Sequence, residues 1–63
     1  MDMVIMYNPE KIKVGDIVKV KEHDWVGTVV GAAFGKPLNS QLRIQLSFGL
    51  TYDAYPSQLE KTN

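Results

Sequence analysis

Apolar and polar residues alternate most regularly in Leu42-Arg43-Ile44-Gln45-Leu46-Ser47-Phe48. A period of two puts every second side chain on one face, so this run predicts a half-buried strand. Residues 17–21 show the same pattern, with Val18 and Val20 toward the core and Lys19 and Lys21 toward solvent. Residues 25–31, Trp-Val-Gly-Thr-Val-Val-Gly, are rich in residues that favour extended backbone. Gly27 and Gly31 inside that run predict a bulge, a sharp bend or a close backbone approach. Residues 51–55 form a fourth strand, with Tyr52 and Ala54 facing in and Asp53 and Tyr55 facing out. Pro56 cannot donate to a ladder, so Pro56-Ser57-Gln58 predicts one turn of 3₁₀ helix. Leu59-Glu60-Lys61 follows as a short last strand.

Turn chemistry separates these runs. Asn8-Pro9-Glu10 and Gly15-Asp16 are turn signals, and Lys11-Ile12-Lys13-Val14 between them reads as an extended lead-in. Residues 32–41 hold Gly35-Lys36-Pro37 and Asn39-Ser40 and read as a loop. Residues 1–10 form an N-terminal arm, either flexible or an extra edge strand, and residues 11–63 form the domain. About five short strands with a 3₁₀ turn before the last predict an all-β fold, a small SH3-like barrel. An OB-fold, the alternative, ordinarily needs a longer chain and a helix.

Length and composition narrow the chemistry. A chain of 63 residues makes one domain, and at that size only roughly 60% of the unfolded surface is buried. Such domains usually gain stability from disulfides, a metal or a partner subunit. The chain has no cysteine and one histidine, His23. Disulfides and Cys- or His-rich metal sites are thereby excluded, and self-association or docking on a protein partner is left. Seven basic residues balance seven acidic ones, which argues against a nucleic-acid partner. No apolar run is long enough to span a bilayer. The apolar start lacks the basic flank of a secretory signal, so a soluble cytoplasmic protein is expected.

No paired carboxylates, nucleophile-and-base pattern or phosphate-cradling Gly loop stands out. Trp25, Tyr52 and Tyr55 are the candidates for a partner-binding face, because amphipathic aromatics supply contact area and a polar handle. The plainer reading packs Trp25 against its own barrel and one tyrosine in the core. Asp53 sits mid-strand, where aspartate is disfavoured. Beside Tyr55 it would bind a cation or a donor group, or it is simply solvated. Lys19 and Lys21, with Lys11 and Lys13, form either a small basic stripe or a solvated face. His23, in Glu22-His23-Asp24, reads as a turn residue.

Three resemblances share the opening pattern. Gly15-Asp16, Val18, Trp25-x-Gly27-x-x-Val30-Gly31, Tyr55-Pro56 and Leu59-Glu60 resemble the plasmid-borne, trimethoprim-insensitive type B dihydrofolate reductases. That resemblance implies a homotetramer with a central pore for NADPH and dihydrofolate. Its site residues would be Tyr55, the main chain at Ala54, Asp53, and Lys19 or Lys21. The family's Val-Gln-Ile-Tyr-Pro stands here as Tyr52-Asp53-Ala54-Tyr55-Pro56, and its pore lysine falls at Val20. Residues 35–42, Ile44-x-Leu46-x-Phe48 and Tyr52-x-Ala54-Tyr55 resemble the variable chain of ferredoxin–thioredoxin reductase. Gly15-Asp16-x-Val18-x-Val20 with Val26-Gly27-Thr28-Val29 resembles the small stromal subunit of photosystem I. Both of these are non-catalytic docking subunits.

The expectation is therefore a non-enzymatic interaction or assembly module without a cofactor. It would self-associate, as a tetramer if it follows the reductases, or brace a larger, redox-type partner through Trp25, Tyr52, Asp53 and Tyr55. The alternative is a divergent NADPH-dependent type B reductase, and the third reading is a nucleic-acid-binding barrel of the KOW type.

Overall fold

The computed structural model describes Asn8, residues 10–33 and residues 41–62. Most of the expected arm at residues 1–10 and most of the expected loop at residues 32–41 lie outside these. The described chain folds into β1 (Ile17–Val20), β2 (Trp25–Ala32), β3 (Leu42–Leu46), β4 (Thr51–Ala54), a 3₁₀ turn (Pro56–Gln58) and β5 (Leu59–Lys61). All pairings are antiparallel, in one sheet of order β4-β3-β2-β1-β5. This is the all-β fold with a 3₁₀ turn before its last strand that the sequence predicts. Among the described residues no helix is long and apolar enough to cross a membrane.

One face of the sheet supplies the core. Val18 and Val20 from β1, Val29 from β2, and Leu42, Ile44 and Leu46 from β3 are buried together. Ala54 from β4, Leu59 from β5 and Ile12 complete the cluster. A single sheet can enclose its own apolar face only by curling around it. Gly27 is the position that allows this. A Cβ there would lie 2.6 Å from the Gln45 carbonyl oxygen and 2.6 Å from Ile44 Cγ2. The Ile44 methyl could turn aside, but the Gln45 carbonyl is fixed in the β2–β3 ladder. Gly31 answers the second half of the expectation, since the register shifts between Val29 and Gly31 and leaves Val30 as the extra residue of a bulge. Bulges sharpen the local twist and help a small sheet to curve.

β1 stops one residue before the expected Lys21 and β2 runs on to Ala32, which the pattern gave to the loop; three further segments differ more. β3 stops at Leu46, because the Gly49 N–H donates to the Leu46 carbonyl (3.0 Å) and the Leu46 N–H to the Leu50 carbonyl (2.7 Å). That turn carries Phe48 out of the ladder. Tyr55 has left β4 and opens the 3₁₀ turn, where its N–H donates to Gln58 Oε1 (2.9 Å) and the Gln58 N–H donates back to its carbonyl (2.8 Å). The lead-in before Gly15 is looped. The Asn8 side chain accepts from the Ile12 N–H (2.9 Å) and donates to the Ile12 carbonyl (2.8 Å), and Lys11 takes a left-handed φ of 55°. The loop delivers Ile12 to the core.

Asp16 fastens the two ends of the described chain together. Gly15 reaches φ 98° in the preceding turn, which a side chain would resist. The Gly15 N–H donates to the Val29 carbonyl, and the Val29 N–H donates to the Asp16 carbonyl, both at 2.9 Å. The Asp16 carboxylate is buried and accepts from the Lys13 N–H at 2.9 Å. Lys13 Nζ lies 3.4 Å and Lys61 Nζ 3.6 Å from its oxygens. The Lys13 backbone hydrogen bond lowers the Asp16 pKa, and the two lysine charges add to it against the cost of burial.

Two outcomes follow from this packing. Gly27→Ala should lower the free energy of unfolding by about 1–3 kcal/mol, the usual cost of overpacking, measured by urea denaturation. For Asp16, a folded pKa below the unfolded value of about 3.9 means its stabilisation is present above that value and is lost as pH falls through the folded pKa. The urea midpoint should therefore fall more steeply below about pH 4 in the native chain than in Asp16→Asn. Parallel acid profiles for the two chains would contradict the clasp.

Candidate functional site

Trp25 opens β2 directly across from Val20, in phase with Gly27 and Val29. It therefore faces the same side as the core, at the end of the sheet where β2 leaves the tight turn from β1. That turn is closed by the His23 and Asp24 N–H groups, which both donate to the Val20 carbonyl (3.2 and 2.8 Å). Asp24 takes a left-handed φ of 63° there, a conformation aspartate tolerates better than most residues. Tyr52 lies opposite Ile44 on β4 and also faces inward. Trp25 and Tyr52 are half-buried and pack on the edge of the core.

Four rings meet at this end of the sheet. The His23 imidazole stacks on Trp25 with centroids 4.1 Å apart and planes within 14°. Tyr52 stands edge-on to Trp25 at 5.4 Å and to His23 at 5.8 Å. Phe48 meets Trp25 edge-on at 5.6 Å. The three edge-on contacts have the separations and angles at which aromatic pairs attract beyond their buried area. The cluster is only partly covered: Phe48 is 53% exposed and Leu50, in the same hairpin connection, 63%.

The residues singled out from the sequence divide between places. Trp25 and Tyr52 come together, and His23 and Phe48, which the pattern assigned to a turn and to a strand, join them. Asp53 lies on the opposite, outer face of the sheet, where it grips Arg43 directly across the ladder. Arg43 Nε donates to one carboxylate oxygen at 2.9 Å and Nη2 to the other at 3.1 Å. The same hydrogen bonding pushes the Arg43 pKa up. Tyr55 stands beyond the end of β4 and is about half exposed. Ala54 is fully buried in the core. Lys19 Nζ pairs with Asp24 at 3.2 Å, and Lys21 Nζ donates to the Ser57 carbonyl at 3.2 Å. Three lysines of the expected basic stripe, Lys13, Lys19 and Lys21, thus sit beside acidic or carbonyl oxygens.

His23 carried a local signal that composition hides. It stands two residues before Trp25 across a tight turn, a spacing that brings two rings to one side. Phe48 carried none, because the turn that frees it depends on where the β3–β4 register closes.

Compared with family models, with curated proteins and with solved structures, the chain gives no significant match.

The two exposed and half-buried aromatics should behave differently in unfolding experiments. Phe48→Ser should cost no more than about 1 kcal/mol, since the ring is half exposed and loses one edge-on contact. Trp25→Ala should cost about 1–3 kcal/mol, less than a fully buried tryptophan. Equal losses from the two substitutions would mean that Phe48 serves the fold rather than the surface.

Proposed function

We propose that this chain is a non-enzymatic SH3-like interaction module that docks on a larger partner protein through its aromatic end. The observation that carries the reading is the His23, Trp25, Phe48 and Tyr52 cluster, with Phe48 and Leu50 more than half exposed beside it. Tryptophan and tyrosine are the residues most often dominating binding energy, and they do so best when their rotamers are already fixed. Here the stacked and edge-on contacts fix Trp25 and Tyr52 before any partner arrives. Only the outer rim of the cluster remains to be covered, which is where a docking partner would gain apolar burial. The resemblances to the ferredoxin–thioredoxin reductase variable chain and to the photosystem I stromal subunit support the same role. Both are subunits that brace a partner bearing the redox chemistry.

A second reading, the divergent type B reductase, draws on the Arg43–Asp53 pair. Bare carboxylates gathered in a shared pore would repel the phosphates of NADPH. Asp53 held by a two-pronged arginine would bring little net charge there. The reading would still need Tyr55 and a lysine at position 19 or 21 to reach the pore.

Two experiments separate the readings. A photo-crosslinking side chain at position 48 should give a discrete protein adduct in cells that express the chain. The same probe at Lys13, beside Asp16, should not. Adducts of equal yield at both positions, or none at 48, would overturn the docking reading. In a spectrophotometric assay the module should oxidise no NADPH in the presence of dihydrofolate. Turnover that disappears in Tyr55→Phe would replace the module with the reductase.

A further inference from the structure

The outer face of the sheet has a different character from the aromatic end. The registers set Ile17, Thr28, Gln45 and Thr51 in one row across β1, β2, β3 and β4. Along β2, Val26 and Val30 flank Thr28 on the solvent side. Ile17 is 41% exposed, Val26 40% and Val30 50%. None of these six residues is charged. The charges of the same face stand at its borders, where Arg43 and Lys19 are each paired within the chain. Arg43 holds Asp53 on one side, and on the other Lys19 faces Glu60 across the ladder and pairs with Asp24. An uncharged, β-branched centre inside a charged rim is the anatomy of an interface.

We propose that this outer face is a self-association surface whose occupant is a second copy of this chain. Charge decides the occupant. A strongly charged partner would find no complementary field on the central row. A second copy brings the same uncharged row, with its rim lysine and arginine already paired within their own chain. The whole chain carries zero net charge, so two copies approach without repulsion. Shape agrees, because two sheets pack face to face about 10 Å apart through small and β-branched side chains. A two-fold axis near Thr28 would set β2 against its mate and make every contact twice.

Area limits the strength. Four strands spaced about 4.8 Å apart and five residues rising about 3.3 Å each give a footprint of roughly 300 Å². A stable interface buries about 800 Å² per partner. The dimer is therefore weak and transient, at the low end of interface sizes. The inference goes beyond the partner-docking reading and does not rest on it, since it uses the opposite face of the sheet.

Sedimentation velocity of the full chain over a wide concentration range tests it. The expected result is a monomer at low concentration and a dimer at high concentration. Thr28→Lys, which places a like charge from each copy near the axis, should weaken association at least tenfold. Gln45→Lys, exposed in the same row, should do the same, and it carries the test if Thr28→Lys does not fold. Phe48→Ser should leave association unchanged. A monomer at about 1 mM would overturn the proposal. So would an assembly indifferent to the lysine substitutions, or one abolished by Phe48→Ser alone.

Discussion

The close passage of β2 over β3 at Gly27 is the constraint on which the rest of the structure depends. Five short strands form one sheet, and the described residues supply no second layer to cover its apolar face. The face must be covered by the sheet itself, which requires neighbouring strands to bend toward one another. At Gly27 the space for a Cβ is occupied by a carbonyl of the adjacent strand. Further along β2 the bulge at Val30 adds curvature where a side chain is retained. The core that results is made of valine, leucine, isoleucine and alanine, and among the described residues Asp16 is the one buried polar side chain beside it.

Asp16 explains how so small a core holds its margins. Strands at the edges of a sheet expose unpaired backbone groups, and a three-residue strand such as β5 has little packing to hold it. Beyond its ladder with β1 and the buried Leu59, β5 is held by contacts at its end. The Lys61 N–H donates to Glu10 Oε1 at 2.8 Å, its ammonium reaches Asp16, and the Thr62 N–H reaches the Ile17 carbonyl at 3.0 Å. One carboxylate thereby links the loop before β1, the turn into β1 and the last strand. A buried acid in this position would be costly if left alone, and the Lys13 N–H with two ammonium groups removes that cost.

What the sequence revealed follows from the range of each interaction. The β3 alternation, the Pro56 turn and the glycines of β2 are local signals, and each predicted element formed. The exits of β3 and β4 were not legible, because alternation continues through Ser47-Phe48 although the hairpin has already begun to turn. The Arg43–Asp53 pair was legible only in principle. It requires the register across the Ser47–Leu50 connection, and that register follows from the Leu46–Leu50 hydrogen bond rather than from any property of Asp53. His23 is the turn residue its neighbours predict, and its ring contact was not legible for a related reason. Its polar neighbours described its loop, while its position two residues from Trp25 described its contact.

The two faces of the sheet now divide the possible roles of the chain. At the aromatic end, rings that belong partly to the core extend into solvent, so surface and stability share residues there. Trp25 and Tyr52 cannot change freely without disturbing the core they cover. The outer face has no such coupling, since Ile17, Val26, Thr28 and Gln45 contribute little to the buried cluster. A surface coupled to the core is rigid and suits a specific partner, because little order remains to be imposed on binding. A surface uncoupled from the core can change without loss of fold. Its uncharged row of β-branched residues therefore points to a demand from outside the monomer, and contact with a second copy is a demand the face itself can meet.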